Sequence, residues 1–210
     1  MNLTGLDLEE EDITLLNSCL THLQKRYTVE VLDYDQIPNL IDLSSELKSY
    51  QILSHWKDFE IINIFQIMVG EEVFQIINVF FSYLVNIGRG QLRELTDIQS
   101  IGRTELSVDL GHVLITPETI TDKVIDFFLH RDVDFEASKE FSDRFLLQTS
   151  NKIAARHYFK TEWLNSIAKL KNVEIEITAN KLIARFPKNT TKTDSMSIAR
   201  LLEKAKETIK

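Results

Sequence analysis

Cysteine is almost absent from this chain of 210 residues, and glycine and proline are scarce. The single cysteine, Cys19, excludes an internal disulfide and any zinc site built from cysteine ligands. Cys19 lies on the apolar stripe of a predicted helix, so we expect a buried and unreactive thiol. Only six glycines and three prolines, with 43% hydrophobic residues, indicate an ordered globular chain rather than a disordered one.

No hydrophobic run is long enough to predict a transmembrane helix. The uncharged stretch over residues 73–87 is shorter than the ~20 residues that a bilayer-spanning helix needs, and it is rich in the β-branched and aromatic residues that favour strands. The acidic amino terminus has neither the basic region nor the apolar region of a signal peptide. We therefore expect no membrane span and a cytoplasmic location.

Basic residues are fewer than acidic ones, 24 Lys/Arg against 32 Asp/Glu, which gives a formal net charge of −8. This balance argues against nucleic acid or an anionic membrane as the principal partner. The acidic excess is concentrated in residues 1–60, which hold twelve Asp/Glu against four Lys/Arg, whereas residues 185–210 hold seven Lys/Arg against three Asp/Glu. One hypothesis is therefore an acidic inhibitor or immunity-type protein that neutralises a basic partner.

The most ordered pattern is a near-repeat, FEIINIF at residues 59–65 and FQIINVF at residues 74–80. A loop of Gly70-Glu71-Glu72 between them predicts a β-hairpin in which Val69 faces Val73. Side chains alternate across a strand, and both predicted faces carry apolar residues, so either helices of this chain or a partner must cover the second face. The candidate partner-binding residues on that face are Ile62, Ile64, Phe74 and Phe80.

A second hairpin is predicted near the carboxyl terminus. VEIEI at residues 173–177 alternates strictly, Ala179-Asn180 supplies a two-residue turn, and residues 182–186 return, so that Glu174 faces Arg185. Other predicted elements are a helix over 8–26 capped by Asp7, a strand over 28–32, a helix near 45–51, strands over 103–110 and 113–115, a helix that starts at Thr116-Pro117 and runs to His130, a strand over 144–148, and helices over 150–158, 161–170 and 195–209.

These elements are mixed without regular βαβ alternation. The chain therefore predicts an α+β fold, with a mainly antiparallel sheet built from hairpins and covered by amphipathic helices. Residues 88–102 read as a polar stretch without regular structure. We expect residues 1–50 to form an N-terminal helix and short strand packed on a main domain over residues 51–210, which ends in the helix over 195–209.

Three stretches resemble a family of uncharacterised bacterial proteins. They read ITPETITDK from Ile115, DVDFEASKEFSDRFLLQTSNKIAARHYFKTEWL, and VEIEITANKLIARFPK. They are similar to that family's "DIDFE…F…RF" stretch, its "AR..F" helix and its terminal "VE…G.LL" hairpin. Family members often carry transmembrane helices before the domain, which this chain lacks. The resemblance implies a fold, but it implies no activity because none is established for the family.

Side chains that could carry chemistry are dispersed. None of the five histidines has a metal-ligand spacing such as HExxH. The candidates for a catalytic site assembled from distant residues are His112, Arg156, His157 and Glu162. Asp132, Asp134 and Glu136 alternate and would share one strand face, which makes them candidate ligands of a cation, although such rows usually face water.

The absence of a reactive constellation favours a non-catalytic interaction or scaffold module. Its partner would be another protein or a second copy of the chain, and we expect no cofactor. The alternatives are an enzyme with a dispersed site and the acidic inhibitor described above.

Overall fold

The computed structural model describes residues 8–88, 90–118 and 135–210, and it confirms the predicted α+β fold. One antiparallel sheet of eight strands carries helices and short segments on both faces. In chain order the described elements are α1 (Glu10–Gln24), β1 (Thr28–Asp33), a 3₁₀ helix (Tyr34–Gln36), α2 (Leu40–Lys48), a 3₁₀ helix (Gln51–Leu53), β2 (Asp58–Val69), β3 (Glu72–Asn86), β4 (Leu92–Glu105), β5 (His112–Pro117), a 3₁₀ helix (Glu136–Ser138), α3 (Lys139–Ser142), β6 (Phe145–Thr149), α4 (Lys152–Tyr158), α5 (Thr161–Ala168), β7 (Glu174–Thr178), β8 (Lys181–Arg185) and α6 (Lys192–Thr208).

The strand order is β1-β2-β3-β4-β8-β7-β5-β6, and every described pairing is antiparallel. The first four strands follow one another as neighbours, and β8 then joins them to the remaining strands. This join is short, running from Ile101 opposite Arg185 to Glu105 opposite Lys181. Because β1 pairs with β2 and α1 packs on α6, these two N-terminal elements belong to the same sheet and the same helical layer as the later elements.

The predicted register of the first hairpin is wrong by one residue. Val69 pairs with Glu72 and Met68 with Val73, so the turn is the two residues Gly70-Glu71 rather than three. Gly70 has φ 60, a left-handed conformation that glycine adopts without a Cβ penalty and that tight hairpin turns require. A bulge at Ile62 shifts the register once more farther along the strands.

The set of four apolar residues predicted to share one face is therefore divided. Phe74 lies in the core beneath α1 and α6, whereas Ile64 lies in the opposite core beneath α2. Ile62 and Phe80 form a small cluster with Leu16 of α1. The prediction of a shared face is wrong for two reasons: the two-residue turn shifts one arm by one residue relative to the other, and the bulge at Ile62 places Ile62 and Ile64 on opposite faces. The chain itself covers both faces, so Ile62, Ile64 and Phe74 are buried and Phe80 is partly buried.

A ladder of buried polar side chains crosses the sheet face that α1 and α6 cover. Asn78 Nδ2 donates to Asn63 Oδ1 at 2.7 Å, and Ser100 Oγ donates to Asn78 Oδ1 at 2.6 Å. Ser195 of α6 extends the ladder, with its Oγ 3.3 Å from Ser100 Oγ. Buried amides and hydroxyls are tolerated only when they are hydrogen-bonded, so the ladder favours one register of β2, β3 and β4. Cys19 is buried beside Ser195, as expected, and burial raises the pKa of its thiol.

The prediction of an irregular stretch over residues 88–102 is wrong, because residues 92–105 form β4. This strand pairs with β3 from Gln75 opposite Arg103 to Asn86 opposite Leu92. Its first half is largely exposed and therefore lacks the alternation that identifies a half-buried strand. Gly102 lies beneath α6, where an added Cβ would come within 2.9 Å of Leu202 Cδ1.

The second hairpin is confirmed, with Glu174 opposite Arg185 and Ile177 opposite Leu182. The turn's left-handed residue is Ala179, with φ 56. The predicted helix start at Thr116-Pro117 is wrong, since both residues end β5 and pair with β6; residues 119–130 of that helix lie outside the described part of the chain. The final helix begins at Lys192 because the Thr191 side chain accepts a hydrogen bond from Asp194 N and caps it.

Candidate interaction surface

The four candidate catalytic residues lie on opposite faces of the sheet. His112 begins β5, and its Nε2 lies 2.9 Å from Oε1 of the buried Glu176, on the α2 side. Arg156 and His157 are exposed on α4, and Glu162 is exposed on α5; both helices pack on the α1 and α6 side. The structure therefore pairs His112 with Glu176 and places it away from the other three candidates.

The candidate metal ligands are only partly within the described chain. Asp132 and Asp134 lie outside it, and Glu136 is exposed at the start of a 3₁₀ helix. Among the residues that the structure describes, no group of three or more His, Cys, Asp or Glu side chains is arranged to hold a metal ion.

Charged side chains are buried on the α2 side of the sheet. Arg185 Nη2 lies 2.7 Å from Glu174 Oε2, and Arg185 Nη1 donates to Gln99 Oε1 at 2.9 Å. Burial raises the pKa of Glu174 even though Arg185 opposes the effect, and burial lowers the pKa of Arg185. All three guanidinium nitrogens contact groups of the protein, since Nε also donates to Glu174. The Glu174–Arg185 pair therefore has a structural role, since its charged groups bind each other and Gln99.

An open cleft of about 300 Å³ separates α2 from strands β1 to β4. Arg103 and Glu46 form a two-point ion pair at its edge, Nε–Oε1 2.7 Å and Nη2–Oε2 3.0 Å, and Lys181 Nζ lies 2.6 Å from Glu46 Oε2. Partial burial acts to raise the pKa of Glu46, but the two cations outweigh it and hold that pKa below its ordinary value. The Glu46 carboxylate is thus held by two cations of the same chain.

The outer ends of β3 and β4 form a two-stranded ribbon, residues 83–86 of β3 and 92–95 of β4, that exposes apolar side chains. β2 pairs with β3 only as far as Ser82, and β8 pairs with β4 only from Ile101 onward. No other described strand extends the ribbon. Leu84, Leu92 and the adjoining Ile87 have exposed fractions of 52%, 62% and 58%. A two-stranded ribbon is only marginally stable alone in water, so an apolar one is suited to contact a partner.

The acidic first turn of α1 lies next to this ribbon. Leu8 and Leu16 pack with Phe80 and Ile98, the residues from which the ribbon continues outward. The turn carries Glu9, Glu10, Glu11 and Asp12. Neither these four acids nor Asp97 of β4 forms an ion pair with a described cation. Burial raises the pKa of Asp97, and the nearby Asp12 raises it further.

Sequence reasoning did not identify Leu84 or Leu92 as site residues. Their exposure depends on where β2 and β8 end, and those ends are set by pairing between distant segments. The available signal was the uncharged apolar run over residues 73–87, which continues beyond the point where the opposing arm turns polar at Asp58. A strand longer than its partner leaves its end unpaired on that edge.

In the part of the chain that the structure describes, no helix is both long and apolar enough to cross a bilayer. No family model and no curated protein matches the sequence. Among solved structures, the chain is similar to the crystal structure of the mycobacterial trehalose monomycolate transport factor A, TtfA. The TM-score is 0.54 and the identity 9%, over 93% of this chain and 94% of that chain. At this identity, the likeness shows a shared fold and nothing more.

Proposed function

We propose that this protein is a non-catalytic interaction module that binds another protein through the two-stranded ribbon. The observation that carries the proposal is the exposure of Leu84 and Leu92 on strand ends that no other described strand supports, together with the exposed Ile87 that follows β3. Fully burying an exposed leucine or isoleucine side chain contributes roughly 1.5–3 kcal/mol, and these three are 52–62% exposed, so covering them contributes about half of that each. Together they form an apolar anchor for a partner.

The charged side chains outside the ribbon support a binding role, because the groups best suited to catalysis are held by partners within the chain. The buried guanidinium of Arg185 and the cleft guanidinium of Arg103 are held by carboxylates of the same chain. His112 is held by Glu176, on the sheet face opposite α4 and α5. These groups stabilise the sheet and its covering segments, while the ribbon offers contact area. The structural neighbour is a transport factor, a role with which a non-catalytic module is compatible.

Site-specific photo-crosslinking tests the proposal. A benzophenone amino acid replaces Leu84 in one variant and Ile153 in a control variant, within cells of the protein's own source. Ile153 is a matched control because it is also a large apolar residue, 84% exposed, but lies on α4. We expect a discrete adduct from position 84 that Leu92→Ser suppresses, and none from position 153. Equal adducts at both positions, or none at position 84, would contradict the proposal.

A further inference from the structure

We infer that the partner segment is basic and amphipathic, and that it docks on the α1 side of the ribbon. This inference rests on the proposed function and specifies the chemistry of the occupant. The docking face consists of Leu84 and Leu92 together with the acidic first turn of α1, residues 9–12.

Strand alternation places the two leucines on the same side as α1. Phe80 and Leu84 are four residues apart on β3, and Leu92 and Ile98 are six apart on β4, so each pair shares a face. β3 and β4 keep one register throughout, with Phe80 opposite Ile98. Leu16 of α1 packs on Phe80 and Ile98. The exposed Leu84 and Leu92 therefore lie on the same sheet face as α1, beyond the part of that face that α1 covers. An apolar stripe of a partner would continue that layer.

The negative charge of the docking face determines the sign of charge that the partner should carry. Glu9, Glu10 and Glu11 are the exposed acids of the docking face, and no described cation pairs with them. Acids are favoured at a helix amino terminus, but here they also border an apolar surface. Lysines or arginines flanking an apolar stripe would compensate all of these carboxylates.

The same acids disfavour a second copy of the chain as the occupant. A two-fold interface brings the same patch of both subunits together, so the two acidic turns would lie close to each other. Like charges across an interface oppose association. A partner with the opposite charge meets no such repulsion.

Peptide binding provides the test, measured by fluorescence anisotropy on the full chain. The probe is a fluorescein-labelled Leu/Lys amphipathic helix of about five turns (~18 residues). Two peptides of the same pattern serve as controls, one with every Leu replaced by Ser and one with every Lys replaced by Glu. We expect only the Leu/Lys peptide to bind, with an affinity that falls as salt rises.

Paired variants locate the binding. We expect Leu84→Ser and Leu92→Ser to weaken binding about tenfold each, and Glu10→Lys about fivefold with a smaller salt dependence. The matched controls are Ile153→Ser and Glu136→Lys, which change an exposed apolar and an exposed acidic residue elsewhere and should leave binding unchanged.

Three outcomes would overturn the inference: binding of the Leu/Glu peptide, equal weakening by the control variants, or no binding of the Leu/Lys peptide. A concentration-dependent dimer in sedimentation that Leu84→Ser abolishes would instead identify a second copy as the occupant. If the peptide fails but position 84 still crosslinks selectively, the interaction module stands and only the basic partner is rejected. If both fail, the ribbon is not a binding element.

Discussion

Replacing Gly102 with alanine should destabilise the protein, because α6 lies too close to β4 for a side chain. The added Cβ would lie 2.9 Å from Leu202 Cδ1 and nearer still to Ile198 Cγ2. Both distances are well below the ~3.5–4.0 Å at which carbon atoms attract each other. Leu202 can rotate its terminal methyl away, but Ile198 is branched next to the helix backbone and is stiff. We therefore expect α6 to shift outward.

Two opposing effects set the magnitude. Overpacking a dense core costs typically about 1–3 kcal/mol. Exchanging glycine for alanine restricts the unfolded chain and returns about 0.4–1 kcal/mol. The expected net loss in the free energy of unfolding is about 1–2 kcal/mol, which lowers Tm by a few degrees in a chain of this size.

Urea denaturation followed by circular dichroism measures the loss. Ile198→Leu removes the branched Cγ2 at nearly constant volume and serves as the coupled partner in a double-mutant cycle. We expect Gly102→Ala to cost less in the Ile198→Leu background than in the wild type. A Gly102→Ala variant as stable as the wild type, or strict additivity of the two changes, would refute the close approach of α6 to β4.

Three further predictions concern buried polar groups. Arg185→Met alone should destabilise the protein by roughly 3–5 kcal/mol because it leaves the Glu174 carboxylate buried and unpaired, whereas Glu174→Leu combined with Arg185→Met should cost much less in the same urea assay. Glu46 has a lowered pKa when folded, so its contribution to stability is present above the carboxyl's ordinary pKa of 4.5 and is lost as the pH falls through the folded value. Urea midpoints between about pH 3 and 7 should therefore fall less steeply on acidification for Glu46→Gln than for the wild type, and parallel curves would contradict this. Asn78→Leu should cost at least about 1–3 kcal/mol in the free energy of unfolding because it removes the two buried hydrogen bonds that Asn78 makes with Asn63 and Ser100, and thermal melts showing no loss would count against the ladder.

The sequence predicts the carboxyl-terminal hairpin well because Val173 to Ile177 alternate without interruption and one register alone aligns all the apolar pairs. It predicts the first hairpin only approximately. There, one residue more or less in the turn leaves nearly equal apolar pairs, so the φ of Gly70 decides the register. β4 was missed because its first half faces solvent on both sides and carries no periodic signal.

The interaction surface was less accessible to sequence reasoning than the fold. The sequence shows the acidic excess of the first sixty residues, but the position of the acidic turn of α1 relative to Leu84 and Leu92 depends on packing between α1 and β3. The buried pair of Glu174 and Arg185 was also only partly predictable from the sequence. Their cross-strand pairing follows from the alternation, whereas their burial follows from the segment of residues 51–56 that covers them.

The short pairing of β4 with β8 has a consequence for how the chain folds as it is synthesised. β1 to β4 can pair as soon as they emerge from the ribosome, but the central edge of β4 must wait until β8 has been made, some eighty residues later. α6, which covers that seam, is the last element of all. During this interval the edge residues Ile101 to Glu105 are open to any other strand, and contacts between distant segments form slowly. The nascent chain is therefore most exposed to mispairing just before its synthesis ends, and a truncation of the last thirty residues, which removes both β8 and α6, should trap it in that state.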